Sequence, residues 1–325
     1  MTLKSPLEFE KPLVDLELKL DELKQQVAGG KQELIKDCTK LEEQVAKLVK
    51  DTYGNLSAYQ RVQLSRHFDR PFTLDFIKHI ATDFIEFHGD RCFGDDEAIV
   101  GGTANIAGIK VMIIGHQRGR TTEERLRRNF GMSNPEGYRK ALRLFRMAEK
   151  FKLPIINLID TQGAYPGLEA EERGQAEAIA RNIQDLSEIT VPIICVVIGE
   201  GGSGGALALG VGDKILMLEN SCYSVITPEG CAAILWGQDA SGNASYAAMA
   251  ADALNLTAEK QLKNKIVDEV VKEPFGGAHR NHKEAAELLQ LSLVKHLEDL
   301  SKFTVEEMLA ARYKKFREFG PVLEN

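Results

Sequence analysis

No stretch of this 325-residue chain approaches the apolar length that crosses a bilayer, so a membrane-spanning role is not expected. Cysteine is scarce: five in all, none in a Cys-x-x-Cys pair. Cys38 falls in a helical pattern, and Cys195 and Cys222 lie in or beside apolar runs. That spacing offers neither a zinc site nor a disulfide framework, and it fits a reducing compartment, cytoplasm or plastid stroma. Met1-Thr2-Leu3-Lys4-Ser5-Pro6 has no apolar core of a secretion signal. Positive charge is in deficit: 41 Lys and Arg against 48 Asp and Glu give a net charge of -7, no footing for nucleic-acid binding. The rest of the composition is that of an ordinary globular protein, long enough for one large domain with an appendage or for two modest domains.

Glycine, by contrast, is concentrated. Gly199-Glu200-Gly201-Gly202-Ser203-Gly204-Gly205-Ala206 follows an apolar run, Val191 to Ile198, that reads as a buried strand, and it leads into Ala206-Leu207-Ala208-Leu209, the start of a short helix. Bare backbone there lets a ligand approach main-chain N–H groups, and the opening amides of a helix have no partner within it. Three readings compete. Gly199, Gly201 and Gly204 satisfy G-x-G-x-x-G, with Glu219 placed for a ribose, but the following helix is too short for a dinucleotide crossover. Gly201 to Gly205 satisfies G-x-S-x-G, with Asp252, Asp268, His279 and His282 downstream, but Ser203 stands five residues beyond the expected strand end, too far for a nucleophile elbow. The third reading is a hole of backbone amides for a carbonyl oxygen that gains charge during reaction. It needs only the bare turn and the short helix, and it is preferred.

Around this loop the pattern is regular. Residues 13–50 carry two stripes of apolar residues split by Gly29-Gly30, a helical hairpin that docks or packs. Tyr59 to His88 reads as mostly helical. Strands are expected at Val100–Ala104 and Lys110–Ile114, then a helix from Pro135 to Lys152. Strand Pro154–Asp160, loop Thr161–Gly167 and helix Gly174–Ile189 precede the glycine stretch. Lys214–Leu218 and Tyr223–Ile226 follow as strands, and a helix runs from Pro228 toward Trp236. Residues 238–245 form a polar loop, and 247–263 and 282–319 are helical by pattern. Alternating strand and helix with short turns predicts a layered α/β domain with largely parallel strands. Pro154-Ile155-Ile156 and Pro192-Ile193-Ile194 recur 38 residues apart, the mark of a stacked unit. A second glycine loop, Asp160 to Gly167, follows the neighbouring strand and lies at the same sheet edge. The chain divides into an arm (1–55), a main domain (56–300) and a helical tail (301–325).

Asp160-Thr161-x-Gly163-Ala164-Tyr165-Pro166-Gly167 and Gly199 through Asp213 resemble the alpha subunit of bacterial-type acetyl-CoA carboxylase carboxyltransferase. So do His88-Gly89-Asp90-Arg91, Gly115 to Arg120, Arg128 to Met132, Pro135 to Arg143, Glu171 to Gln175, Pro228 to Ala232 and Gly276 to Asn281. The resemblance runs from about Phe9 to the C-terminal helices. It implies a crotonase-like fold of stacked β-β-α units, an N-terminal helical hairpin and C-terminal helices. It also implies an α2β2 enzyme that moves a carboxyl group from carboxybiotin to acetyl-CoA, giving malonyl-CoA in the first committed step of fatty acid synthesis. The biotin rides on a separate carrier protein, which biotin carboxylase charges, and the beta subunit carries the zinc ribbon, so no metal is expected in this chain.

Carried over, the oxyanion hole falls to the backbone of Gly204 and Gly205 with Gly163. Gly201, Gly202, Ala206, Ala164, Tyr165, Arg118 and Arg120 are candidates to hold biotin or substrate. The arginines at 118, 120, 125, 127 and 128 read either as contacts to CoA phosphates or the beta subunit, or as a solvated face. His116 and His279 read as structural. Position 162 is Gln where the family has Pro, which restores an N–H and frees the turn before Gly163. The alternative enzyme is a stand-alone crotonase-type acyl-CoA hydratase or decarboxylase, with Glu200 or Glu229 as acid or base. A non-enzymatic scaffold is the third possibility.

Overall fold

The computed structural model describes residues 5–237 and 242–320. Helices α1 (Lys11–Ala28) and α2 (Ile35–Gly54) form the arm, turning at Gly29-Gly30 as the two stripes require. Short helices α3 (Ala58–Ser65) and α4 (Thr73–Ile80) lead into strand β1 (Thr82–Glu86). This strand corrects the expectation of helix through His88. It forms by antiparallel pairing with β2, a partner outside its own stretch. Strands β2 (Ile99–Ile106) and β3 (Ile109–His116) make a hairpin, followed by α5 (Thr122–Arg127) and α6 (Pro135–Phe151).

The layered core then alternates: β4 (Ile155–Thr161), α7 (Leu168–Glu172), α8 (Gln175–Glu188), β5 (Ile193–Gly202), α9 (Ser203–Leu207), β6 (Lys214–Leu218) and β7 (Cys222–Ser224). Helices α10 (Pro228–Trp236), α11 (Ala244–Ala253) and α12 (Ala258–Lys263) follow, with β8 (Glu269–Val271) and the long α13 (His282–Leu300) and α14 (Val305–Arg317). The helical patterns at 247–263 and 282–319 each break into two, the first at Asn255, whose φ is +51°. Part of the polar loop at 238–245 lies outside the described residues.

The strands order as β1-β2-β3-β4-β5-β6-β8, antiparallel from β1 to β3 and parallel from β3 to β8, with β7 pairing the far end of β5. The two Pro-Ile-Ile segments lie side by side, Ile155 against Ile193 and Ile156 against Ile194, so the repeat marks neighbouring parallel strands. Strands buried on both faces read as continuous apolar runs. Here Ile193, Cys195 and Val197 face Tyr138, Leu144 and Phe145 of α6 and Leu186 of α8. Ile194, Val196 and Ile198 face Phe76 and Ile80 of α4 and Leu289 and Leu293 of α13. Helices on both faces leave the C-terminal ends of the parallel strands as the open edge, where β4 and β5 deliver their glycine loops.

The arm is locked to this body at one buried point. Glu10 accepts hydrogen bonds from His279 Nε2 (2.8 Å), Tyr53 Oη (2.6 Å) and the Leu7 N–H (2.8 Å). His67 packs on the His279 ring, with centroids 4.3 Å apart. Arg280 reaches back to Glu17 and Tyr53.

Candidate functional site

The strand leading to the site is longer than its apolar stretch. β5 continues through the bare residues to Gly202, because Glu200, Gly201 and Gly202 pair with Cys222, Tyr223 and Ser224 of β7. Helix α9 therefore begins at Ser203, three residues earlier than expected. Ser203 carries the sharp change of direction with φ at +48°, a left-handed conformation that a non-glycine residue adopts at a cost. The strand-to-helix placement rejected for Ser203 on sequence is thus present. The rest of a hydrolase triad is not. Among the described residues no histidine lines the cavity that Ser203 faces. His279 is held by Glu10, His282 lies against the Asp69 carbonyl, and Asp268 binds Lys315 and the Ile215 N–H. Glu219, the ribose candidate, pairs with Lys272 at 2.7 Å.

The two glycine loops meet back to back. A Cβ on Gly205 would lie 2.6 Å from the Gly163 carbonyl carbon and 2.7 Å from the Ala164 nitrogen, and one on Gly202 would run into the Gln162 carbonyl. These two positions need glycine so that backbones can touch. Gly204 differs: its nearest neighbour would be Ile179 Cδ1 at 3.5 Å, ordinary contact. Gly204 and Ser203 open onto a cavity of about 930 Å³. Its apolar walls include Leu207, Val211, Ile215, Tyr223, Val225 and Phe316, and Lys263 and Lys265 add charge. Gly201 packs on Tyr223 and Val197, and Ala206 is buried. Gly163 donates its N–H to Thr161 Oγ1 at 3.2 Å, and Tyr165 donates its own to the Ser133 carbonyl. Gln162 is exposed beside a smaller cavity of about 190 Å³ that it shares with Arg66, Arg118 and Arg125.

Beneath the turn lies a charged network. Arg118 bridges Asp160 (3.0 Å) and Glu200 (3.2 Å), and Asp160 accepts the Glu200 N–H at 3.0 Å. Arg66 binds Glu200 at 2.6 Å and Glu229 at 2.9 Å. Burial pushes the Asp160 carboxyl up, against the pull of Arg118. Arg120 ties itself to Asp75 and to the Phe68 and Arg70 carbonyls, and stacks over Phe72. His116 is wholly buried beside the Leu158 and Gly205 carbonyls; burial, then the Arg118 charge, push it down to about 3, so its ring is neutral.

Residues 6–320 match the model of the family described as acetyl co-enzyme A carboxylase carboxyltransferase-like. The chain belongs to this family. It is 57% identical over 318 residues to a Geobacter metallireducens protein named acetyl-coenzyme A carboxylase carboxyl transferase subunit alpha, covering 98% of each chain. It is 55% identical to the protein of the same name from Geobacillus kaustophilus, covering 97% of this chain and 96% of that one. Among solved structures, transcarboxylase 12S aligns with a TM-score of 0.53 at 21% identity, covering 71% of this chain and 42% of that one. The beta subunit of P. aeruginosa geranyl-CoA carboxylase aligns at 0.53 and 18% identity, covering 83% and 47%. These likenesses carry the fold: the crotonase-like architecture expected from the motifs is the one the chain adopts, in a family of carboxyl transferases. No helix among the described residues is long and apolar enough to cross a membrane.

Sequence reasoning missed what stands behind the turn. Asn157 and Asn182, both fully buried, donate to the Leu209 and Ala208 carbonyls at the end of α9. An Asn inside an apolar strand is a visible signal, but its target fifty-two residues on is not.

Proposed function

We propose that this chain is the half of a two-component carboxyl transferase that receives carboxybiotin, and that with a beta subunit it delivers the carboxyl group to acetyl-CoA, forming malonyl-CoA. The observation that carries this reading is the turn at Ser203 and Gly204 opening onto the apolar cavity. Biotin on its separate carrier protein supplies an activated carboxyl group. An apolar slot with backbone amides at one end suits a bicyclic ring whose ureido oxygen becomes anionic. The amides of Gly204 and Gly205 lie in the first turn of α9, where the helix has no acceptor for them. Donors fixed before reaction stabilise developing charge more than solvent does, and one such donor is worth about 3 kcal/mol of barrier.

Other residues of the chain shape that turn. Gly202 and Gly205 let the two loops touch, Gly163 and Ala164 form the facing backbone, and Arg118 and Asp160 brace the strand ends. Gly201, Ala206 and Tyr165 belong to this shell, and Arg120 braces the neighbouring loop. The beta subunit would supply most of the acetyl-CoA site, and biotin carboxylase would charge the carrier. A cytoplasmic or stromal setting fits this chemistry. The hydratase or decarboxylase alternative is not favoured, because its acid–base candidates Glu200 and Glu229 are both held by Arg66.

Gly204→Val tests the reading, since the added side chain crowds the turn beside Ile179 without striking the backbone. Assembled with a beta subunit and a carboxylated carrier, it is expected to lose malonyl-CoA formation by about a hundredfold or more, the cost of one oxyanion donor. A fully active Gly204→Val would overturn the assignment.

A further inference from the structure

Helix α9 is five residues long, too short to hold its own position. It is held from behind. Asn182 on α8 donates through Nδ2 to the Ala208 carbonyl at 3.2 Å and to the Tyr138 carbonyl of α6 at 3.1 Å. Asn157 on β4 donates to the Leu209 carbonyl at 2.9 Å, which also accepts from Cys195 Sγ at 3.2 Å. These carbonyls follow the last turn of α9 and have no partner within it. The two asparagines thus join the end of α9 to α6, α8 and β4.

Stability alone does not ask for them. Both side chains are fully buried, and each leaves its Oδ1 without a hydrogen-bond partner. Each amide satisfies a carbonyl that α9 leaves open, but strands an oxygen of its own in doing so, which leaves little net gain in stability. The hydrogen bonds give instead a fixed distance and direction, which apolar packing supplies poorly.

We propose that Asn182, aided by Asn157, is a positioning residue of carboxyl transfer: the pair fixes α9 so that the Gly204 and Gly205 amides keep their place relative to the oxyanion. The proposal rests on the role given above to the turn. Such donors act only if they stand where charge will develop. Asn182 grips α6 and α9 with one NH2 group, so α9 cannot slide along the sheet without breaking that bridge.

The test uses Asn182→Leu and Asn157→Leu chains, each assembled with the beta subunit and assayed with a carboxylated carrier and acetyl-CoA. The expected result is a kcat lower by about tenfold or more, in line with a displacement below 1 Å. The KM for acetyl-CoA stays within about twofold, because the pair does not touch that substrate, and the thermal midpoint falls only modestly, by the loss of the donor to one carbonyl, with the protein still folded and assembled at the assay temperature. An unchanged kcat in both variants overturns the proposal. So does a kcat that falls only in step with the midpoint or with subunit assembly. Where Asn182→Leu fails to fold, Asn157→Leu decides by the same criteria. Gly204→Val, run alongside, separates the two claims. If it is fully active, the turn itself is misassigned. If it is impaired while both Asn variants are fully active, only the positioning role falls.

Discussion

His279 Nε2 lies 2.8 Å from Glu10 Oε1, joining residues 269 apart in the chain, and both side chains are wholly removed from solvent. This contact fastens the N-terminal arm to the body. Burial pushes the Glu10 carboxyl up, but the bonds from His279, Tyr53 and the Leu7 N–H outweigh it and hold it at about 2. Burial, reinforced by His279, pushes His67 down to about 4.

Both groups make the arm acid-labile, in overlapping windows. His67 is neutral in the fold and protonates more readily once released, so its contribution fades as pH falls from the ordinary 6.5 toward 4. Glu10 is ionised in the fold, and its contribution fades from 4.5 toward 2. The carboxylate contributes on the order of 3 kcal/mol at neutral pH, at 1.36 kcal/mol per pKa unit. The protection factor of the α1 amides, the exchange rate of the unfolded chain at the same pH divided by their own, is expected to fall steadily below pH 6.5, and Glu10→Gln should remove most of the change between pH 4.5 and 2. A protection factor in α1 that is independent of pH across both windows would contradict this.

The C-terminal helix hangs on one buried pair. Arg312 donates to both Asp213 oxygens at 2.8 Å and to the Leu186, Ile189 and Val191 carbonyls. Arg312→Met leaves Asp213 buried without its cation, and a loss of about 3–5 kcal/mol is expected in urea denaturation. Arg312→Lys should recover little of it, because an ammonium cannot reach this spread of acceptors. Phe316 and Phe319 line the large cavity, so the cavity wall should loosen as well.

Gly202 is held to glycine by the Gln162 carbonyl rather than by chemistry at its own atoms. Gly202→Ala is expected to destabilise by about 1–3 kcal/mol, the range for forced overpacking. Gly204→Ala, which meets only Ile179 at 3.5 Å, should stay within about 0.5 kcal/mol by the same measurement. Equal effects at the two positions would show that the loops do not touch as described.

Arg118 separates a bracing role from a substrate contact. Arg118→Leu leaves Asp160 and Glu200 buried with less compensation, and a loss of about 3 kcal/mol in the free energy of unfolding is expected in urea denaturation. A variant with unaltered stability and a raised KM for acetyl-CoA would instead place this guanidinium on the substrate.

The layers were legible in the order of residues alone. Apolar runs bounded by proline and glycine became the central parallel strands, because residues buried on both faces leave no polar alternation. The repeated Pro-Ile-Ile announced two of those strands, and the stripes either side of Gly29-Gly30 became the arm. The glycine stretch marked the turn, since only bare backbone lets Gly205 rest on Gly163. The remaining features arise from contacts between distant parts of the folded chain. Glu200 to Gly202 is strand because β7 comes alongside and Thr161 of β4 pairs with Gly201 on the other side, which moves Ser203 to the strand end. β1 is strand only because β2 pairs with it. The Glu10–His279 lock, the Arg312–Asp213 pair and the asparagines behind α9 join residues far apart in the chain. Hydrogen bonds act over about 3 Å, so such partners leave no periodicity to read and exist only once the chain has closed on itself.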